Sequence, residues 1–295
     1  MVVVYKQNPH QQVALNFPND DWTRFMHNTH TPAPYGYGWT VFSVLPFMAG
    51  LGKFSLTWLI FRGLNVVAIP LLMFVLARLA KVLNKPFLTK DVAIFLLNPL
   101  FLVEIVSNSH NDLWMLIPAV ASLWMIFQLD TKKVWRSILF SLLLLLVSVL
   151  MKLATVTLLP LWLAGLWLVL EKNGYLDFVA KKITQYMTFF ARIVQENFGF
   201  LASLLLFLPL LTNRSQQFHP WYLTWPLIWF PLIKVKWWRL WLIALSLSSL
   251  LRYIPWLLAG GFSDTIVFQQ QLITWVGGVV GLVVLLSGQR LFHKK

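Results

Sequence analysis

One short stretch of an otherwise apolar chain, NPLFLVEIVSNSHND at residues 98 to 112, holds Glu104, His110, Asn111 and Asp112. A charge at the centre of a bilayer costs about 2.5 to 3.5 kcal/mol on insertion scales, so ionisable groups at that depth face a cavity or a partner. A carboxylate in such a place can take a proton from a hydroxyl, which is general-base work. Cations are the natural complement, because they hold an anionic group and stabilise the charge that grows on a leaving group. Lys152 is the single charge between residues 138 and 170, Arg214 and His219 lie in TNRSQQFHPWY, and Arg252 follows SLSSLL. Asp20 and Asp21 add a second pair of carboxylates, in a stretch that also carries Arg24, His27 and His30.

Other chemistries find no residues to carry them. The chain has no cysteine, so thiolate catalysis, disulfides and zinc-thiolate sites drop out. It has neither an HExxH spacing nor a glycine-rich nucleotide loop, so no metal site and no cofactor are expected, and a soluble nucleotide-linked substrate is disfavoured against a lipid-linked one. The net charge of +14 would suggest nucleic acid in a soluble protein. Here 58% of the residues are hydrophobic and mean hydropathy is +0.69, so the charge is topological and no nucleic acid partner is expected.

The elements that must position these groups are membrane helices. Apolar runs between charged breaks fall at 54–81, 88–107, 112–129, 134–151, 154–170, 196–212, 219–233, 237–257 and 266–286. The expected fold is therefore an all-α membrane protein, a polytopic bundle of about nine transmembrane helices over residues 54–295 with an external N-terminal loop region over 1–53. Residues 138 to 170 would make a helix of about 50 Å, so they divide into two spans turning near Lys152. Pro99, Pro160, Pro226 and Pro255 can bend their spans and leave room between helices for a lipid chain.

With nine spans, 17 of the 24 Lys and Arg residues fall on one side. The positive-inside rule makes that side cytoplasmic, places the C-terminus there, and turns Glu104, His110, Asp112, Lys152, Arg214, His219 and Arg252 toward the outer face. The stretch NFPNDDWTRFMHNTHTPAPYGYGWTVFSVLPFMAG is too rich in Pro, Asn, Thr and His to span, and it ends in an aromatic segment suited to the outer surface. On the basic side, Leu176, Val179, Ile183, Tyr186, Met187, Phe190, Ile193 and Val194 follow helical spacing. They predict an interfacial helix over about 174–195, whose Lys181, Lys182 and Arg192 reach anionic head groups.

Four stretches in order, NPH with FPNDDW and TPAPYGYGWT, then NPLFLVEIVSNSHNDLWM, then the lone lysine of SVLMKLATVTLLPLWL, then QFHPWYLTWPL, resemble the integral-membrane mannosyltransferases of the GT-C superfamily. The resemblance implies a metal-independent, inverting transfer of a hexose, usually mannose, from a polyprenyl-phosphate donor to a glycan or glycolipid acceptor on the outer face of the cell membrane. It also implies an aspartate base in the first external loop, for which Asp20 and Asp21 are this chain's candidates, with Glu104 and Asp112 as the other carboxylates. His110, Asn111, Lys152, Arg214, His219 and Arg252 are the expected substrate-binding residues. Such enzymes carry a first transmembrane helix and an acidic residue ahead of the position that YKQNPH matches, and this chain opens at MVVVYKQNPH. Either the base lies upstream of that position or Asp20 or Asp21 serves.

Each residue also has a plainer role. Glu104 could pair with Arg62, Asn111 and Asp112 could cap the following helix, Lys152 could snorkel to water, and His110, Arg214 and His219 could mark polar turns. Two rival functions share the composition: a transporter or flippase for a lipid-linked substrate, and an inactive lipid-binding scaffold. A transporter favours midplane sites and internal repeats, and this chain has no evident repeat while its polar groups gather toward one face.

Overall fold

The computed structural model describes residues 36–128, 134–212, 218–261 and 263–292, and these are helical with no strand among them. The longer helices are α1 (Tyr37–Ala49), α2 (Phe54–Val82), α3 (Thr89–Leu96), α4 (Asp112–Phe127), α5 (Val134–Met151), α6 (Leu159–Lys172), α7 (Lys181–Glu196), α8 (Phe198–Phe207), α9 (Lys236–Leu251), α10 (Tyr253–Ala259) and α11 (Asp264–Phe292). Helix is the form that satisfies every backbone N–H and C=O within a single apolar segment, which lipid demands.

Five stretches are long and apolar enough to cross a membrane: Phe54–Val82, Val134–Met151, Leu153–Lys172, Lys236–Ala259 and Asp264–Gly288. A sixth arises if Lys181–Glu196 and Phe198–Leu211, bent by 82° at their junction, count as one. The other expected spans are not unbroken helices of that length. Over 88–107 the chain breaks at Asn98, which is extended because Pro99 follows it. The Asn98 side chain caps the next turn at Leu100 N and donates to Ser246 Oγ on α9 (2.9 Å). Over 112–129 the helix α4 has 16 residues. Over 219–233 the prolines at 220, 226 and 231 leave two 3-10 turns, Pro220–Leu223 and Phe230–Leu232, around the single helical turn Thr224–Leu227.

Polar side chains and small residues hold the helices together, as expected where lipid offers no hydrophobic contrast. Ser122 and Ser141 each donate to the other's carbonyl (2.6 and 2.8 Å), and Trp162 Nε1 donates to Ser141 Oγ (2.6 Å), joining α4, α5 and α6. Ser203 Oγ donates to Pro226 O and receives Trp238 Nε1. Helix α11 lies close on α9: a Cβ added at Gly277 would come 2.9 Å from Ser248 Cβ, and one at Gly281 would come 3.0 Å from Ala244 Cβ.

Polar contacts gather at two ends. At one, Asp91 pairs with Arg239, Lys85 Nζ donates to Glu196 O, and the rings of Trp135 and Tyr175 meet at a tilt, 5.3 Å between centroids. The other end holds the groups that the sequence singles out.

Candidate active site

The local backbone explains how Glu104 meets His110. Leu102–Ser107 is a π-helical turn, wider than an α turn, and its last bond runs from Asn108 N to Val103 O (2.8 Å). Ser109 then takes a left-handed φ of 57°, which folds the chain back so that His110 N donates to Glu104 O (3.1 Å). The imidazole consequently lies beside the carboxylate, with His110 Nε2 3.3 Å from Glu104 Oε2.

Glu104 is fully buried and both its oxygens are occupied. Tyr253 OH donates to Oε1 (2.8 Å), while Asn108 Nδ2 (3.2 Å) and His110 Nε2 share Oε2. The expected alternative partner, Arg62, instead places its guanidinium over Trp58. Asn65, one turn further along α2, donates to His110 O (3.2 Å).

Asp112 is the first residue of α4 and is 1% exposed. Its Oδ1 accepts from Lys152 Nζ and from Trp225 Nε1, both at 2.7 Å, while Oδ2 is buried with no partner among the described residues. The capping expectation fails, because Asn111 stands at the cap position without a side-chain cap bond and Asp112 spends Oδ1 on tertiary partners. Lys152 is the extended joint between α5 and the 3-10 turn Leu153–Leu158, so the turn expected there is present. Its ammonium is no snorkelling group: it lies over the rings of Trp225 (4.7 Å) and Tyr222 (5.0 Å) as well as on Asp112.

His110 and His219 both stack on the indole of Trp221, at 4.2 and 4.3 Å between ring centroids. Burial first, and then the nearby Arg252 guanidinium, push the His219 imidazole down to about 4. It is therefore neutral at physiological pH and can offer one N–H to an anion, not a charge.

Arg252 closes the group. Pro255 has no N–H to give to the carbonyl four residues earlier, and the helix is interrupted between α9 and α10 with Arg252 as the joint. Arg252 is 3% exposed, and its Nη1 is buried without a partner among the described residues. A buried guanidinium with an unfilled donor is costly unless something arrives to accept from it.

The N-terminal part of the chain reaches the same place. Gly36 N donates to Met151 O (3.0 Å), and a Cβ on Gly36 would stand 2.0 Å from Leu150 O, so glycine is required for this close approach. Helix α1 then leans on the bundle through Phe42, whose ring meets Trp114 at 4.8 Å.

The structure thus brings together Glu104, His110, Asp112, Lys152, His219 and Arg252. Asp20, Asp21 and Arg214 lie outside the described residues. Sequence reasoning missed Tyr253, Trp221, Tyr222 and Trp225, although the clue was present: Tyr253 adjoins Arg252, and two tryptophans four apart follow His219. The described residues contain no group of three or more His, Asp or Glu placed to hold a metal ion.

No curated protein and no solved structure matches this chain. The model of the alpha-(1->6)-mannopyranosyltransferase N-terminal domain matches residues 2–170, more than half of its length. Two carboxylates, a lysine and an arginine whose Nη1 has no partner among the described residues, gathered at one end of a helical membrane protein, suit sugar transfer, and the chain belongs to the alpha-(1->6)-mannopyranosyltransferase family, a mannosyltransferase built into the membrane.

Proposed function

We propose that the protein takes mannose from a polyprenyl-phosphate donor and passes it, with inversion, to a hydroxyl of a glycan or glycolipid on the outer face of the cell membrane, as the GT-C resemblance implies. The observation that carries this reading is the buried Arg252, whose Nη1 has no partner among the described residues, with His219 close enough to feel the charges of both Arg252 and Lys152: the two cations and the neutral N–H of His219 make a partly dry site for a phosphate.

In the transfer, the acceptor oxygen gives its proton to a carboxylate and attacks the anomeric carbon. The bond from that carbon to the phosphate oxygen breaks, and the lipid phosphate leaves with its electron pair. Lys152 and Arg252 stabilise the growing charge. Inversion to an α product requires a β-linked donor, with the base on the face opposite the phosphate. Asp112 touches Lys152 directly and so stands on the phosphate side, and Glu104 has both oxygens taken. The base role therefore passes to Asp20 or Asp21, on the segment that enters the described structure at Gly36, beside Met151.

Nine passages and an outward site are supported by the alternation of ends: residues 85–91, 127–128, 134–135, 172–196 and 234–239 belong to the basic end, and 104–112, 151–152, 219–225 and 252–253 to the other. The basic end carries most of the lysines and arginines, which puts it and the C-terminus in the cytoplasm.

Purified protein in liposomes should transfer radiolabelled mannose from polyprenyl-phosphate mannose and not from a nucleotide-linked mannose. Transfer from the nucleotide donor alone would overturn the reading. A reporter after Lys295 should be cytoplasmic and one near Ser215 external, and the reverse result would overturn the orientation.

A further inference from the structure

Helix α7 uses its faces in the opposite way from a helix of a soluble protein. The stripe against α6 is small and hydroxylated: Thr188 and Ala191 are buried, and Trp167 Nε1 donates to Thr188 Oγ1 (3.1 Å). Its apolar stripe points away from the protein, with Ile183, Tyr186 and Phe190 more than half exposed, and Phe178 just ahead of the helix is 87% exposed. An apolar stripe normally faces the core, so this one needs another apolar phase.

Two further observations identify that phase. Helix α7 turns 82° from the segment Phe198–Leu211, so it runs nearly across the direction of an adjoining membrane segment. The charges on the helix are mostly basic, Lys181 and Lys182 at the start and Arg192 near the end, against Glu196 as its last residue and Asp177 ahead of it. Beyond the last turn, Lys85 donates to Glu196 O (2.9 Å) and lies close to the charges of both Lys234 and the Glu196 carboxylate. Burial and the Lys234 charge hold the Lys85 ammonium below its ordinary value. Two ammonium groups against one carboxylate leave a net positive charge there, which suits an anion.

We propose that α7 lies in the interface of the leaflet at the basic end, its aromatic stripe in the acyl boundary, and that Lys181, Lys182 and Arg192 with the Lys85 and Lys234 pair hold the phosphates of anionic phospholipids. The inference rests on membrane embedding and is independent of the sugar-transfer reading. It makes lipid charge a determinant of how the basic end is braced, because Lys85 ties the loop after α2 to the end of α7.

The absence of cysteine allows a direct test. Nitroxide labels at Phe190→Cys and Gln185→Cys are read in nanodiscs of phosphatidylcholine alone and with phosphatidylglycerol. The label at 190 should collide with oxygen and be shielded from a polar nickel chelate, and the label at 185 should show the reverse. Phosphatidylglycerol should be retained by the purified protein, and each basic residue changed to Gln should weaken that retention on the order of fivefold. A polar-accessible label at 190 would overturn the docking, as would spin coupling at 190 that reports a second copy on the stripe. Equal retention of both lipids by wild type would overturn the anionic specificity. Unfolding curves of the Lys85→Gln and Lys234→Gln variants separate loss of lipid from loss of fold.

Discussion

Lys152 Nζ and Asp112 Oδ1 are 2.7 Å apart across 40 residues of sequence, and both side chains are largely buried. The pair makes each partner the other's condition. Lys152→Met alone leaves a buried carboxylate without its cation, a loss of about 3 to 5 kcal/mol of stability. The double variant Lys152→Met with Asp112→Asn should recover most of that loss while transfer stays low, by about a hundredfold or more. A double variant that folds and transfers at the wild-type rate would show that the pair is structural.

Arg252 should behave in the opposite sense. Its Nη1 is buried without a partner among the described residues, so Arg252→Gln should leave thermal stability unchanged or higher while turnover falls about a hundredfold to a thousandfold. Thermal unfolding in detergent and single-turnover transfer rates measure both halves. A stability loss matching the rate loss would mark Arg252 as a packing residue.

Tyr253 acts through Glu104. Tyr253→Phe removes a bond to a buried carboxylate and should cost about 1.5 to 3 kcal/mol. Glu104→Gln keeps the shape and one acceptor, so it should retain measurable transfer, as a base would not. Rates of the two variants, compared at equal folded fraction, decide the point.

His219 links stability to pH. Its folded pKa of about 4 lies below the ordinary 6.5, so the folded protein refuses a proton that the unfolded chain accepts. The contribution is fully present above about 6.5 and is lost as pH falls through about 4. The melting temperature of wild type should drop across that window, and His219→Gln should flatten the drop. Identical slopes would show that His219 ionises freely.

Much of this arrangement was legible in the sequence, and the limits were physical. The long apolar runs, the turn at Lys152 and the convergence of HND with Lys152, His219 and Arg252 follow from hydropathy and from the cost of stray charges in lipid. The break at Asn98 was within reach, since a residue before proline resists helix. The π turn that carries Glu104 had no local signal. Trp221, Trp225 and Tyr253 were hidden for another reason: aromatic residues are ordinary at membrane boundaries, and only tertiary contact shows that these three hold His110, Asp112 and Glu104.

The Asn98 break also sets an order of events during synthesis. Its amide finds Ser246 Oγ only 148 residues later in the chain. While the first half of the protein is entering the membrane, the segment from Thr89 to Ser107 offers lipid a broken helix with an unmatched amide, and it cannot settle as an independent unit. It must wait, held by the insertion machinery or by its neighbours, until α9 is made. Chains arrested before residue 246 should therefore be cleared by quality-control proteolysis even though they contain Glu104, Asp112 and Lys152, and the site is completed by the last third of the protein.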